Sequence, residues 1–175
     1  MKTTTRKLTL SAVFLSIGLV LPLFTMQIKE IGDTLLPMHL PVMLCGILCG
    51  SIWGGSVGLI LPFLRSAIFG MPPMYPNAVW MAAELAAYGL IIGLVYNRTR
   101  KNIMGIYISL IAAMLGGRVV WGATKALLLG VAGKSFTFTA FLVGGFADAL
   151  LGIVLQLILI PLIVKLFNSK KVLTK

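Results

Sequence analysis

The chain has 175 residues, of which 59% are hydrophobic and 11% charged, and its mean hydropathy is +1.03. A soluble domain of this size cannot bury that much apolar surface, so the composition indicates an integral membrane protein whose spans leave no room for a sizeable soluble domain. The formal net charge of +11 is read as basic residues retained on cytoplasmic loops, not as a nucleic-acid surface.

Met1 to Lys7 is basic and Leu8 to Phe24 apolar, the pattern of a signal peptide. No small-x-small cleavage site follows at Thr25-Met26-Gln27-Ile28-Lys29, so an uncleaved first span is expected at residues 8–28. Further spans are expected at 36–52 and 54–70, separated only by Ser51-Ile52-Trp53-Gly54-Gly55. The breaks at Met71-Pro72-Pro73 and Pro76 precede a fourth at 77–96, followed by 103–129 and 138–167.

Charge sets the count and direction. Lys2, Arg6 and Lys7 precede the first span, Arg98, Arg100 and Lys101 follow the fourth, and Lys165, Lys170, Lys171 and Lys175 lie at or beyond the end of the last. All three groups read as cytoplasmic, which requires an even number of spans. The expected fold is an all-α integral membrane protein, a bundle of six transmembrane helices with both termini cytoplasmic, in a single transmembrane domain over 1–175 of the multi-pass cell-membrane type. Outer loops then fall at Gln27 to Leu36, Gly70 to Asn77 and Gly130 to Thr139.

Several local patterns carry no chemistry in this frame. Asn97-Arg98-Thr99 fits a glycosylation sequon but lies on the cytoplasmic side. Gly133-Lys134-Ser135 matches the end of a phosphate-binding loop, yet Leu128 stands where the required first glycine belongs and no strand precedes it. With no nucleotide motif, any use of ATP must come from a partner. Cys45 and Cys49 lie four apart without other ligands nearby, so they are read as helix-packing residues and no metal or cofactor is expected. Gly46, Gly50, Gly54 and Gly58 recur every four residues, and Gly116-Gly117 and Gly144-Gly145 add further small surfaces, all read as sites of close helix approach.

The charges inside the spans are the informative feature. Arg65, Glu84, Arg118 and Asp148 lie within them, Lys125 lies nearer an end, and His39 opens the second. A charge at the bilayer centre costs about 2.5–3.5 kcal/mol on insertion scales, so such residues face a protein interior or a watery cavity. At a rise of 1.5 Å per residue, Arg65 lies about 8 Å below the outer end of its span, Glu84 and Asp148 about 10–15 Å, Arg118 about 16 Å and Lys125 about 6 Å. These residues come from different helices yet fall in the outer half, which suggests a polar cavity open to the outside. Pairing of Arg118 with Glu84 or Asp148 is the competing structural explanation. Arg65, Arg118 and Lys125 still exceed Glu84 and Asp148 by one positive charge, and an anionic ligand would satisfy it; the planar fork of arginine suits a carboxylate.

Helical spacing adds aromatic residues to this layer. Asn77, Trp80 or Met81, Glu84 and Tyr88 share a face of the fourth span, and Arg118, Trp121 or Gly122, and Lys125 share one of the fifth. Trp80 and Trp121 are candidates for the pocket lining, with interfacial anchoring as the alternative, which Trp53 fits well.

Three stretches carry a family resemblance: Arg6-Lys7-Leu8-Thr9-Leu10-Ser11-Ala12, Leu36-Pro37-Met38-His39-Leu40-Pro41, and Leu61-Pro62-Phe63-Leu64-Arg65-Ser66 with Gly70-Met71-Pro72-Pro73. With the six-span topology, they make nearly the whole chain resemble the substrate-binding S component of energy-coupling factor (ECF) vitamin transporters, most closely the pantothenate type. The resemblance implies a high-affinity subunit that takes a vitamin from outside and docks onto a transmembrane coupling subunit driven by two ATPase subunits. It implies that small residues four apart on the first span form the docking face, here Ala12 and Ser16, where Ser16 departs from the usual alanine. It also implies that the loop Gln27 to Leu36 caps the ligand. Pantothenate has one carboxylate, in keeping with the cation excess; folate, nicotinate and riboflavin are the alternative cargoes.

The expected binding residues are therefore His39, Arg65, Asn77, Trp80, Glu84, Arg118, Trp121, Lys125 and Asp148, with Arg65 meeting the anionic group beneath a proline-rich outer lid. A membrane enzyme is disfavoured because the sequence holds one histidine, no H-E-x-x-H motif and no nucleophile elbow. A scaffold with purely structural charges and a stand-alone secondary transporter are the other rivals, the latter lacking an obvious internal repeat.

Overall fold

Apolar runs broken by glycine and proline produce helices throughout the computed structural model, which describes residues 2–25 and 34–169. Helix α1 (Lys2–Val20) tightens into a 3-10 turn over Leu21–Thr25. It is followed by α2 (His39–Cys49), α3 (Ser51–Phe69), α4 (Val79–Arg98) and α5 (Ile103–Val131). A short α6 (Phe138–Leu142) runs through a π-helical turn at Val143–Ala147 and gives way to α7 (Leu150–Ser169). The part of the expected outer loop at 27–33, and Lys170, Lys171 and Lys175, lie outside the described residues.

Among the described residues, five helical stretches are long and apolar enough to cross a membrane: Thr4–Phe24, Ser51–Phe69, Met74–Arg98, Ile103–Val131 and Leu150–Phe167. The segment expected at 36–52 is shorter. Its 11-residue helix α2 is about 16 Å long against a hydrocarbon core of about 30 Å. Gly50, at φ +107°, ends it and leads directly into α3. Nearly every residue of α2 is buried, as expected for a helix that is apolar on all sides.

The segment expected to run unbroken over 138–167 is divided. Gly144 and Gly145 have weak helix propensity, and the helix widens into the π turn at Val143–Ala147 before α7 begins, with Asp148 in helical backbone at φ −66°, ψ −30°. The 20 residues of α7 suffice alone for about 30 Å. Asp148 lies between the π turn and α7, and it is exposed.

The core centres on α4, which packs against α2, α3 and α5. Its buried residues Leu85, Tyr88, Gly89, Ile92, Gly93 and Tyr96 recur every three to four positions, the spacing of one buried helix face. Glycine permits the convergence. A Cβ on Gly54 would stand 2.6 Å from the Cα of Gly46, while one on Gly89 would collide with the backbone of Gly54 and one on Gly58 with that of Leu85. Backbone cannot yield as a flexible side chain can, so α2, α3 and α4 approach this closely only because those positions lack side chains. Gly50 is the exception in the four-residue series: it makes the turn and touches nothing that a Cβ would displace. Helix α1 is bound more lightly, burying Ser11, Phe14 and Gly18 along one stripe and exposing the opposite face. Cys45 and Cys49 are buried free thiols, with Cys45 Sγ donating to Ser11 Oγ at 3.4 Å across the α1–α2 contact.

Candidate functional site

Three charged or polar residues from three helices meet in the interior. Glu84 lies early in α4, Arg118 midway along α5 and His39 at the first turn of α2, and they are 2%, 3% and 2% exposed. Arg118 Nη1 donates to Glu84 Oε1 at 2.8 Å. His39 Nε2 is 3.3 Å from the same oxygen, but the pair lacks hydrogen-bond geometry, so neither ring nitrogen of His39 has a hydrogen-bond partner. The imidazole stands edge-on to Tyr88 at 4.9 Å, and the Tyr88 hydroxyl donates to the Met114 carbonyl at 3.4 Å. Gly117 gives this ring room, because a Cβ there would overlap it.

The unpaired atoms define what the cluster can do. Arg118 Nε and Nη2 are buried and have no hydrogen-bond partner. Together they form the side of the guanidinium that presents two parallel N–H groups, the geometry that accepts both oxygens of a carboxylate. Glu84 holds the remaining nitrogen, Nη1, so it fixes the guanidinium plane without occupying the fork. Leaving buried donors unpaired costs about 1–3 kcal/mol per group.

Above this cluster α5 carries an aromatic tier. Trp121, one turn beyond Arg118, has the guanidinium carbon of that residue 5.8 Å from its ring. Lys125 Nζ lies 4.5 Å from Trp121, 5.3 Å from Phe136 and 5.4 Å from Trp80, within the range of cation–π attraction. Phe136 and Phe141 border the indole at 5.9 and 6.1 Å, and Gly144 brings the backbone before α7 so close that a Cβ there would stand 3.3 Å from it. The stripe Arg118, Trp121, Lys125 extends about 10 Å along the helix.

The structure thus brings together His39, Glu84 and Arg118, and stacks Trp80, Trp121 and Lys125 beside them. Asn77 is half-buried in the turn leading into α4. Asp148 is exposed, and the carboxylate paired with Arg118 is that of Glu84. Arg65 is buried at 4% exposure, but its Nη1 donates to the Leu19 carbonyl at 2.9 Å and its guanidinium lies 5.4 Å from the Phe69 ring. It therefore ties the end of α1 to the end of α3. Phe136 and Phe141 were not among the residues expected from sequence; the run Phe136-Thr137-Phe138-Thr139-Ala140-Phe141 was split between an outer loop and the start of a span, which concealed that its rings converge on Trp121.

Ala12 and Ser16 both lie on the exposed face of α1. The Ser16 hydroxyl donates to the Ala12 carbonyl at 3.0 Å, so its polar group is satisfied within the helix and the surface stays small and smooth.

Comparison with known families gives a match to the one described as ECF transporter, substrate-specific component, over residues 6–164. Comparisons with curated proteins and with solved structures give no match. The family match takes in the intramembrane charge cluster and all but the ends of the helical bundle, and the chain belongs to the substrate-specific components of ECF transporters, the substrate-binding membrane subunits of these importers.

Proposed function

We propose that this subunit binds a carboxylate-bearing micronutrient at the Arg118 fork, with pantothenate as the first candidate. The observation that carries this reading is the pair of buried, unpartnered donors Nε and Nη2 on a guanidinium whose third nitrogen Glu84 already holds. A fork positioned and desolvated in this way favours a planar anion over a neutral group. Trp80, Trp121 and Lys125 form the wall towards the outside, and Lys125 adds positive charge along the entry path. Asn77 and Asp148 lie towards the rim, and Arg65 supports the site from the α1 side. The basic residues at the start of α1, between α4 and α5 and at the end of α7 favour an even number of crossings with both termini cytoplasmic, which requires the short, buried α2 to cross together with the residues before it.

The direct test is ligand-induced stabilisation of the purified protein in detergent by pantothenate and by the primary amide of its carboxylate. The acid should raise the melting temperature and the amide should do so weakly or not at all. Equal stabilisation by both would reject the carboxylate reading. Nicotinate and folate also carry carboxylates and riboflavin does not, so the same assay ranks the alternative cargoes.

Members of the family work with an ECF module of transmembrane and ATPase subunits. We place the docking face for that module on Ala12 and Ser16, where small side chains allow close helix approach. Ala12→Leu or Ser16→Leu should abolish uptake in cells while leaving binding by the solubilised protein nearly intact. Loss of binding in step with uptake would count against docking at this face.

A further inference from the structure

Helix α7 turns one stripe inward, Gly152, Gln156, Ile160 and Val164, each one turn from the next. Ile160 and Val164 join the apolar core. Gln156 is 1% exposed, an amide buried in a membrane helix, where a polar group needs a partner. That partner is a backbone carbonyl: Gln156 Nε2 donates to Leu36 O at 3.5 Å. One turn earlier, Gly152 lies against the same stretch of chain. A Cβ there would stand 2.7 Å from the Thr34 carbonyl oxygen and 2.8 Å from that of Leu35. The missing side chain and the buried amide thus seat residues 34–36 on α7.

Leu36 is the strained point of that stretch. Its φ is +51°, in the left-handed region that a side chain disfavours, and the following Pro37 biases it towards extended backbone instead. Such a conformation persists where its surroundings over-determine it. The Leu36 carbonyl also accepts from the His39 N–H at 3.1 Å, and Met38, which precedes α2, supplies no side-chain cap. The turn that α7 holds is therefore the turn that starts α2. His39, the first residue of α2, sets its imidazole against Glu84 and Tyr88.

We propose that Gln156 is a positioning residue of the binding site: with Gly152 it clamps the strained Leu36 turn to α7 and so keeps His39, and the Glu84 carboxylate beside it, in register with Arg118. The three members of that cluster come from α2, α4 and α5, and α7 acts on it through this backbone contact. The clamp stands on its own geometry; its effect on affinity rests on the carboxylate reading of the Arg118 fork.

The test measures two quantities on the full-length protein in detergent, backbone hydrogen exchange over residues 34–44 and the dissociation constant of pantothenate. Gln156→Met keeps the length of the side chain and removes the donor. It should speed exchange over 34–44 about two- to tenfold and weaken pantothenate by a similar factor, the worth of one hydrogen bond. Gly152→Ala, which pushes on the Thr34 and Leu35 carbonyls, should act in the same direction. Adding Leu36→Gly to Gln156→Met should restore both readouts, because glycine adopts φ +51° without strain and the turn then holds itself. Lost packing around α7 would not be rescued by a change at residue 36. Unchanged exchange over 34–44 in both single variants overturns the clamp. Faster exchange with unchanged affinity, or a loss that Leu36→Gly does not recover, overturns the positioning role. Should wild type fail to bind pantothenate, the carboxylate reading falls, and exchange over 34–44 with its rescue decides the clamp by itself.

Discussion

Glu84→Ala is expected to destabilise the folded protein by about 3–5 kcal/mol, the cost of removing one member of a buried ion pair. Arg118 would lose the acceptor of its Nη1 and remain a buried cation with three nitrogens unpaired. His39 would lose the neighbouring carboxylate oxygen. Glu84→Gln should cost less, because an amide oxygen still accepts from Nη1 although the charge is gone. The informative variant is the double substitution Glu84→Leu with Arg118→Met. Replacing a whole buried pair by apolar groups of similar volume is often neutral or stabilising, so this protein should approach or exceed wild-type stability while losing affinity for acids. Denaturant or thermal unfolding in detergent measures all three. A Glu84→Ala cost below about 1 kcal/mol, the value of a solvent-exposed pair, would mean that water reaches the cluster and that the fork is not desolvated.

The contrast between the single and double variants also separates function from stability. An apolar pair would hold α4 and α5 together at least as well as an arginine and a glutamate. Wild-type stability in the double variant would therefore assign the pair to ligand binding and not to the fold, as intramembrane ionisable residues generally suggest.

Most of the helical architecture was legible because hydropathy and breakers act locally. The Gly70 cap of α3, at φ +71°, and the Asn102 cap of α5, whose side chain accepts from the Gly105 N–H at 2.9 Å, end and start helices where the sequence suggested. The pairing of Arg118 with Glu84 was readable as one of two alternatives, from depth along the helices. What was not legible depended on tertiary geometry. Nothing in residues 138–167 states that Gly144 and Gly145 will pack against Trp121 and that the helix will widen into a π turn at Val143–Ala147. Asp148, which follows that turn, is exposed where an interior position was expected. Depth alone likewise could not separate Arg65 from Arg118, because both lie in the same half of the bundle, and only the azimuth of each side chain decides which meets Glu84 and which meets a backbone carbonyl.

Arg118 and Arg65 should accordingly respond differently to the charge of the ligand. Arg65 Nη1 donates to Leu19 O, a carbonyl at the junction of α1 with the 3-10 turn Leu21–Thr25, where Pro22 three residues on has no N–H to offer it. A guanidinium there is held by the protein itself. Arg118 instead has two buried donors awaiting an acceptor. Removing a buried, hydrogen-bonded charge partner costs about 2–5 kcal/mol, and each 1.4 kcal/mol is a factor of about ten. Arg118→Ala should weaken binding of the acid at least about thirtyfold and leave the poor binding of the amide nearly unchanged. Arg118→Lys should restore only part of the loss, since a point charge replaces a bidentate fork. Arg65→Ala should lower the melting temperature, and any loss of affinity should be the same for acid and amide. The decisive measurement is the pair of cycles formed by each arginine variant against acid and amide, read on protein that still melts cooperatively. Coupling at Arg118 and additivity at Arg65 place the carboxylate on the α5 fork. The reverse pattern would place the carboxylate at Arg65 beneath the proline-rich turn and leave Arg118 as the structural counter-ion of Glu84.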